Sequence, residues 1–342
     1  MNAAALTFPF AAAPQPAGLT QVAPGVHWLR MPLPFRLDHI NLWLIEEEGG
    51  WVIVDTGLAN DETRALWEEL LAGPMAGKPV RRVVVTHFHP DHMGLAGWLC
   101  ARFGVEMWAT QGEYLHGRML GIDRTEDFVA NQVEFYRRAG CDQATLDLAA
   151  ERRNIYATRV TPPPPRFNRL RAGQVIEIGG RAWTVFVGTG HSPEHACLHC
   201  PELGVLIAGD QVLPKISPNV SVWPMEPEAD PLAQFLASLE QFHALPEDTL
   251  VLPSHGLPFR GLHARLTDLA HHHDERLEAT LAACGEGATG FELLKALFRR
   301  DLDAHQLFFA IGEGLAHVNH LVGQGRARRD VDANGIWLFR RT

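Results

Sequence analysis

The chain of 342 residues holds only five cysteines, an odd number without regular spacing. That excludes a disulfide scaffold and points to a reducing compartment. Long apolar runs are also missing, and no stretch approaches the roughly 20 residues needed to span a bilayer. No Asp, Glu, Lys or Arg precedes Arg30, so the Ala- and Pro-rich start lacks the positive segment of a secretory signal. A cytoplasmic protein without membrane contact is expected, with residues 1–20 a loose arm. Positive charge is scarce: 30 Lys and Arg stand against 40 Asp and Glu, a net −10, which argues against a general nucleic-acid binder. What the chain does have is apolar material, 46% against 20% charged, enough for a sizeable core. Its length suits one large domain and a smaller one.

The densest chemistry follows the β-branched run Val83-Val84-Val85. Thr86 ends the run, and His87, His89, Asp91 and His92 then fall within six positions at a strand end. Packing asks for no such set of imidazoles at a strand terminus, and the pattern reads as a metal site.

In chain order, Gly25–Arg30 alternates as a first strand and Ile40–Glu46 as a second. Gly49-Gly50 turns into a third, Trp51–Val54, which ends at Asp55-Thr56-Gly57. Asp61–Leu71 reads as an amphipathic helix with Leu66, Trp67 and Leu70 inward. Gly104–Ala109 is a further strand. Between Glu113 and Arg171 the β pattern stops, Val129, Val133 and Tyr136 recur at helical spacing, and Pro162–Pro165 form a stiff connector. From Arg118 to Arg171 ten arginines face seven acids, a local +3. Strands resume at Val175–Ile178, Trp183–Val187, Ala196–Cys200, Gly204–Ala208 and Leu250–Leu252. His191, Asp210 and His255 stand where strands stop, the place where α/β sheets build sites.

His263–Cys284 is expected as one helix. Its His271-His272-His273 run cannot chelate one ion, because helix neighbours point about 100° apart, and a plain surface helix is expected there. Cys197 and Cys200, beside His195 and His199, lack a second pair at zinc-ribbon spacing and read as strand residues. Helices at Gly290–Phe298, Asp303–Phe309 and Glu313–Val322, then a hairpin about Asp332–Gly335, outline a winged helix-turn-helix.

The motif Thr86-His87-Phe88-His89-Pro90-Asp91-His92, with Asp55, His191, Asp210 and His255 in that order, resembles the metallo-β-lactamase-fold hydrolase superfamily. The resemblance implies an α+β fold: a four-layer αββα sandwich over 21–262 with a helical cap insertion at 113–171, a linker helix over 263–284, and a small winged-helix domain at 285–342. It implies two divalent ions, zinc by expectation, with manganese or iron able to use the same nitrogen and oxygen donors. His87, His89 and His191 would hold the first, Asp91, His92 and His255 the second, and Asp210 would bridge them. Asp55 would support the ligands without binding metal. A hydroxide shared by the two ions would attack a carbonyl, with Asp91 as the catalytic residue steering the proton. Aspartate at position 210 is similar to the thioesterase (glyoxalase II), lactonase and nuclease members and unlike true β-lactamases. His89, where flavodiiron-type members have glutamate, speaks against a redox role.

Three readings follow. The first is hydrolysis of a small carbonyl ester, a thioester or lactone. Tyr114, Arg118, Phe128 and Tyr136 of the insertion would line its pocket, and the insertion's arginines would meet an anionic acyl thioester. The second is a phosphodiesterase or nuclease served by the winged helix. From Gly285 onward, however, eight Lys and Arg face seven acids, a near-neutral +1 where a groove-reading domain needs a strong positive footprint. The third, a scaffold without catalysis, sits poorly with a full ligand set. The tail's Phe291, Leu294, Phe308, Phe309, Trp337 and Phe339 suggest packing on the hydrolase domain or in a homodimer.

Overall fold

The computed structural model describes residues 6–298 and 302–342. Strands β1 (Thr20–Ala23), β2 (Val26–Pro32), β3 (His39–Glu47) and β4 (Gly50–Val54) pair antiparallel in succession. Helix α1 (Asp61–Ala72) then crosses over, and β5 (Val80–Val84) joins β4 in parallel. Short α2 (Pro90–Met93) and α3 (Ala96–Phe103) lead to β6 (Met107–Ala109), parallel to β5. Helices α4 (Gln111–Ile122), α5 (Glu126–Arg138) and α6 (Gln143–Arg152) precede β7 (Phe167–Arg169), which completes a seven-stranded sheet in sequence order.

The second sheet contains β8 (Val175–Ile178), β9 (Arg181–Gly188), β10 (His195–Cys200) and β11 (Val205–Gly209). Helix α7 (Pro231–Leu239) separates β11 from β12 (Leu250–Pro253), and the spatial order is β12-β11-β10-β9-β8. The chain ends with α8 (Leu262–Cys284), β13 (Ala288–Thr289), α9 (Gly290–Leu297), α10 (Ala304–Gly323), β14 (Ala327–Val331) and β15 (Trp337–Arg341).

Packing explains the sequence pattern. Trp28, Trp43, Val52, Val54 and Val84 of the first sheet meet Trp183, Val185, Leu198, Ile207 and Leu252 of the second in one core, with Trp28 and Trp43 stacked at 6.2 Å. Strand β4 is buried along its whole length, which is why it reads as a continuous apolar run and not an alternation. Helix α1 begins at an Asn60 side chain that accepts the Thr63 amide at 2.8 Å, with Asp61 and Glu62 in the positive first turn. Its inward Trp67 and Leu70 are buried, and Trp67 Nε1 donates to the Thr56 carbonyl at 2.9 Å. The helix is thereby pinned to the loop after β4, beside the metal-type residues.

Two compact units emerge. One contains the residues up to Asp123 with 155–218 and 241–266; the other contains 124–154, 219–240 and 267–342. Two sheets packed face to face make up the first. In the second, α9 and α10 accompany the three-stranded sheet β13-β15-β14. Among the described residues, no helix is long and apolar enough to cross a membrane.

Several expectations change. The arm is not loose from Leu6 onward: Thr7 and Arg260 exchange backbone hydrogen bonds of 3.2 and 2.9 Å, and Phe10 packs edge-on to Trp28 at 6.3 Å. The remainder of that arm, 1–5, lies outside the described residues. The insertion expected at 113–171 is divided. Its first helix belongs with the sandwich, α5 and α6 belong with the tail, and β7 inside it is an edge strand of the first sheet. The helices expected at Asp303–Phe309 and Glu313–Val322 are one helix, α10. A Cβ at Gly312 would lie 2.8 Å from Ser221 Cβ, so that glycine marks a close approach and not a break. Finally, α8 is not a plain surface helix. His271 is exposed, but His273 is buried against His317.

Candidate metal centre

Seven ligand-type side chains converge at one end of the sandwich. Strand β5 delivers Thr86 and His87, and His89 is the N-cap of α2, whose first turn carries Asp91 and His92. His191 follows β9, Asp210 follows β11, and His255 follows β12. His87, His89, His191 and Asp210 bring one ligand atom each within 4.8 Å of one another, and Asp91, His92 and His255 do the same.

Within the first group, His87 Nε2 lies 2.9 Å from His89 Nδ1 and 3.2 Å from His191 Nε2, which is 3.5 Å from Asp210 Oδ2. In the second, His255 Nε2 is 3.5 Å from Asp91 Oδ2, and His92 Nε2 is 3.7 Å from the same oxygen. Asp210 Oδ1 lies 3.4 Å from His255 Nε2 and 3.6 Å from His92 Nε2. The two carboxylate oxygens of Asp210 thus face one group each.

These side chains fit a cation. Donors at metal–ligand lengths of 2.0–2.2 Å around a tetrahedral ion lie about 3.3–3.6 Å apart, near the separations in the second group. His92 Nδ1 sits 2.8 Å from Asp55 Oδ2, so that nitrogen carries the hydrogen and Nε2 offers a lone pair. His92 Nε2 and Asp210 Oδ1 are both buried with no hydrogen-bond partner. Two unmatched buried groups this close are costly without a positive charge between them.

The electrostatics agree. Burial opposes charge on His92, yet Asp55, Asp91 and Asp210 hold its pKa well above the ordinary imidazole value. Burial likewise opposes charge on His255, and Asp210 raises it. Burial and the neighbouring imidazoles push His87 and His89 well below the ordinary range, keeping them neutral as ligands must be. Asp210 is held well below the carboxylate range, against its burial, by His255 and His92.

Supporting groups fix the ligands. Asp55, at φ 63°, accepts from the Thr86 amide and hydroxyl at 2.8 Å each, as well as from His92. It supports and does not face the ligand cluster. His255 Nδ1 donates to the His39 carbonyl at 2.7 Å, which turns its Nε2 inward. The Asp210 amide donates to His195 Nε2 at 3.0 Å. Gly209, at φ 54°, permits that contact, since a Cβ there would fall 2.4 Å from the His195 ring. Cys197 Sγ lies against His195 Nδ1 and the Ala208 carbonyl and has a packing role.

Sequence reasoning set His195 aside and overlooked Glu113, which is wholly buried. Burial raises the Glu113 pKa to about 7 against the hydrogen bonds it accepts from Glu194, Ser192 and Phe88. His195, four residues after His191, carried a local signal; a lone glutamate at a helix start carried none.

The residues expected to line a pocket have the following partners. Tyr114 donates to the Pro164 carbonyl at 2.9 Å and stacks on Phe167 at 3.9 Å, and Arg118 donates to the Pro163 carbonyl at 3.0 Å. Both serve the proline connector. Phe128 and Tyr136 belong to the other unit, where Tyr136 packs on Phe308 at 4.8 Å.

Residues 36–255 match the family model described as metallo-beta-lactamase superfamily. The chain belongs to that superfamily. Residues 277–342 match a second model, the metallo-beta-lactamase-like C-terminal domain. A crystal structure of a beta-lactamase domain protein from Burkholderia ambifaria is 46% identical, with a TM-score of 0.91 over 98% of each chain. The probable metallo-hydrolase YqjP of Bacillus subtilis (strain 168) is 25% identical over 91% of this chain and 96% of its own. More distant is the acyl-coenzyme A thioesterase MBLAC2 of Gallus gallus, 27% identical over 55% of this chain and 63% of its own. Superfamily membership and the ligand cluster agree on a metallo-hydrolase with a site able to hold metal ions.

Proposed function

We propose that the protein is a dinuclear metal-dependent hydrolase of small carbonyl esters, a thioester or a lactone. One observation carries this reading: Asp210 turns one oxygen to each of two ligand groups, at 3.5 Å from His191 and 3.4 Å from His255. A carboxylate so placed suits a pair of ions. His87, His89 and His191 would hold one ion and Asp91, His92 and His255 the other. Zinc suits this set, and manganese or iron could replace it. When bound, such a pair lowers the pKa of water and polarises the substrate carbonyl. Asp91 is half-buried where His87 and His92 are closed off, so its carboxylate can take a proton from water and pass it to the leaving group. His39 and Asp55 keep His255 and His92 turned inward throughout.

The thioester preference draws support from the distant acyl-coenzyme A thioesterase relative. An anionic acyl carrier has less support, because many of the insertion's arginines are engaged. Arg153 pairs with Glu126 and Arg137 with Glu134, while Arg138 and Arg152 lie over Trp337 and Phe308.

The test is hydrolysis by zinc- and manganese-loaded protein of an acyl-CoA, a glutathione thioester, an acyl-homoserine lactone, a β-lactam and a phosphodiester. Turnover of a thioester or lactone is expected, with Asp210→Ala losing metal and activity together. Preferred cleavage of the β-lactam or the phosphodiester would overturn the ester reading. Full activity in both Asp210→Ala and His89→Ala would overturn the mechanism.

A further inference from the structure

We infer that Glu113 is a positioning residue for one half of the metal centre, a buried carboxylate that ties together both loops bearing His87, His89 and His191. The inference rests on the dinuclear reading above and deepens it, giving the start of the helical insertion a task other than capping a cleft.

Three hydrogens converge on the two oxygens of Glu113. Oε2 accepts from the Phe88 amide at 2.8 Å, and Oε1 accepts from the Ser192 hydroxyl at 2.7 Å and the Glu194 amide at 2.6 Å. Phe88 lies between His87 and His89, and Ser192 follows His191. One side chain therefore spans two loops that are distant in sequence but share one ligand group. The Phe88 peptide is held from its other side as well, by the Tyr156 hydroxyl, which donates to its carbonyl at 2.6 Å.

The anchor is itself fixed. Glu194 Oε2 accepts from the Gly112 amide at 2.7 Å, and Thr110 Oγ donates to the Glu194 carbonyl at 2.6 Å. Thus α4 is fastened to the loop that its own Glu113 fastens to His191. A wholly buried carboxylate is a costly way to fill space, since an apolar side chain of that size would serve packing alone. Its three donors repay that cost by setting two loops in register, and ligand registration is what groups behind a metal site supply.

Glu113→Gln keeps the volume and removes one acceptor. Whichever way the amide lies, an N–H then faces a donor, either Phe88 on one loop or Ser192 and Glu194 on the other. The experiment titrates Zn²⁺ into the metal-free full-length protein against a chromophoric chelator, and records the visible spectrum after Co²⁺ loading. Wild type is expected to bind two ions. In Glu113→Gln one of them should bind about 10-fold or more weakly and the other unchanged, with one set of Co²⁺ bands altered. A generic loss of stability would lower the melting temperature and weaken both ions together, which would overturn the inference. Two ions bound with wild-type affinity would also overturn it. A wild type that binds no ion would sink the parent reading first, and this one with it. Should Glu113→Gln not fold, Tyr156→Phe removes the opposite grip on the same peptide. It should weaken the same ion, and two unaffected ions there would count against the inference.

Discussion

Asp55 shows how much one residue can hold in place. Its backbone sits at φ 63°, a conformation that aspartate and asparagine tolerate better than most residues. Its two oxygens receive the Thr86 amide, the Thr86 hydroxyl and His92 Nδ1, each at 2.8 Å. Asp55→Asn should leave the backbone at ease but turn an N–H toward one of those donors. The expected result is a 10–100-fold rise in the dissociation constant for metal, read by chelator competition, with a loss of about 1–3 kcal/mol in the metal-free protein. Wild-type affinity in this variant would show that His92 is oriented by something else. The candidate ligands could be picked out in the sequence because four of them crowd into six positions and three more mark strand ends. Glu113 and His39 could not, because each meets partners far away in the chain, and a single glutamate or histidine carries no periodic signal. The expected pocket residues carry no such signal: an aromatic or arginine at helical spacing looks the same whether it lines a cleft or, as Tyr114 and Arg118 do, bonds to a proline run.

Helices α8 and α10 meet through a buried pair of histidines. His317 Nδ1 lies 2.7 Å from the Glu313 carbonyl and must donate to it, so its Nε2 accepts from His273 Nδ1 at 3.2 Å. That arrangement needs the His317 ring neutral, and burial disfavours charge on either ring. Burial lowers His273 to about 2, helped by the charge of His317, and lowers His317 to about 4. Both values lie below the 6.5 of a free imidazole, so between them the unfolded chain binds more protons. The contribution is complete above about pH 6.5 and is lost as the pH falls toward 4. For His317 alone the loss from pH 7 to pH 5 is about 2 kcal/mol. Metal-loaded protein should therefore melt on the order of 5 °C lower at pH 5 than at pH 7, and the double variant His273→Leu, His317→Leu should show a flatter profile. Equal slopes would refute a role for the pair. At this scale the sequence was readable where an apolar run or turn residues mark an element: β2 to β4, β8 to β12, α1 and α8 all stand where those signals place them. It was not readable where both signals are weak. Strand β1 has no fully buried position, β7 and β13 have only three and two residues, and α10 contains glycines that local propensity treats as stops.

For the molecule as a whole, charge is the property that separates the two enzymatic readings. The tail contains helices α9 and α10 and a three-stranded sheet of order β13-β15-β14, and the winged helix expected there from the sequence is the reason to consider a nucleic-acid substrate. Two of its aromatic residues are engaged within the unit: Trp337 packs edge-on to Phe135 at 5.9 Å and Phe339 is fully buried, so neither offers a ring for stacking on a base. Four of its arginines are paired with carboxylates. Arg328 and Arg340 share Asp330 at 3.4 and 3.0 Å, Arg326 pairs with Glu278 at 2.6 Å, and Arg329 pairs with Glu228. Each such pair removes a positive charge from the potential a phosphate backbone would meet, within a chain of net −10. Nonspecific binding to DNA or RNA comes almost entirely from neutralised phosphates, with about 0.9 of a counterion released per contact on a duplex. A tail of near-neutral balance, eight Lys and Arg against seven acids, should release few. Fluorescence polarisation with labelled duplex DNA and single-stranded RNA, from about 20 to 200 mM salt, should therefore show weak binding or none, and a shallow dependence of log K on log salt. A steep slope, equivalent to six or more phosphate contacts, would mean that the arginines leave their carboxylates for the nucleic acid, and it would move the proposed substrate from a carbonyl ester to a phosphodiester.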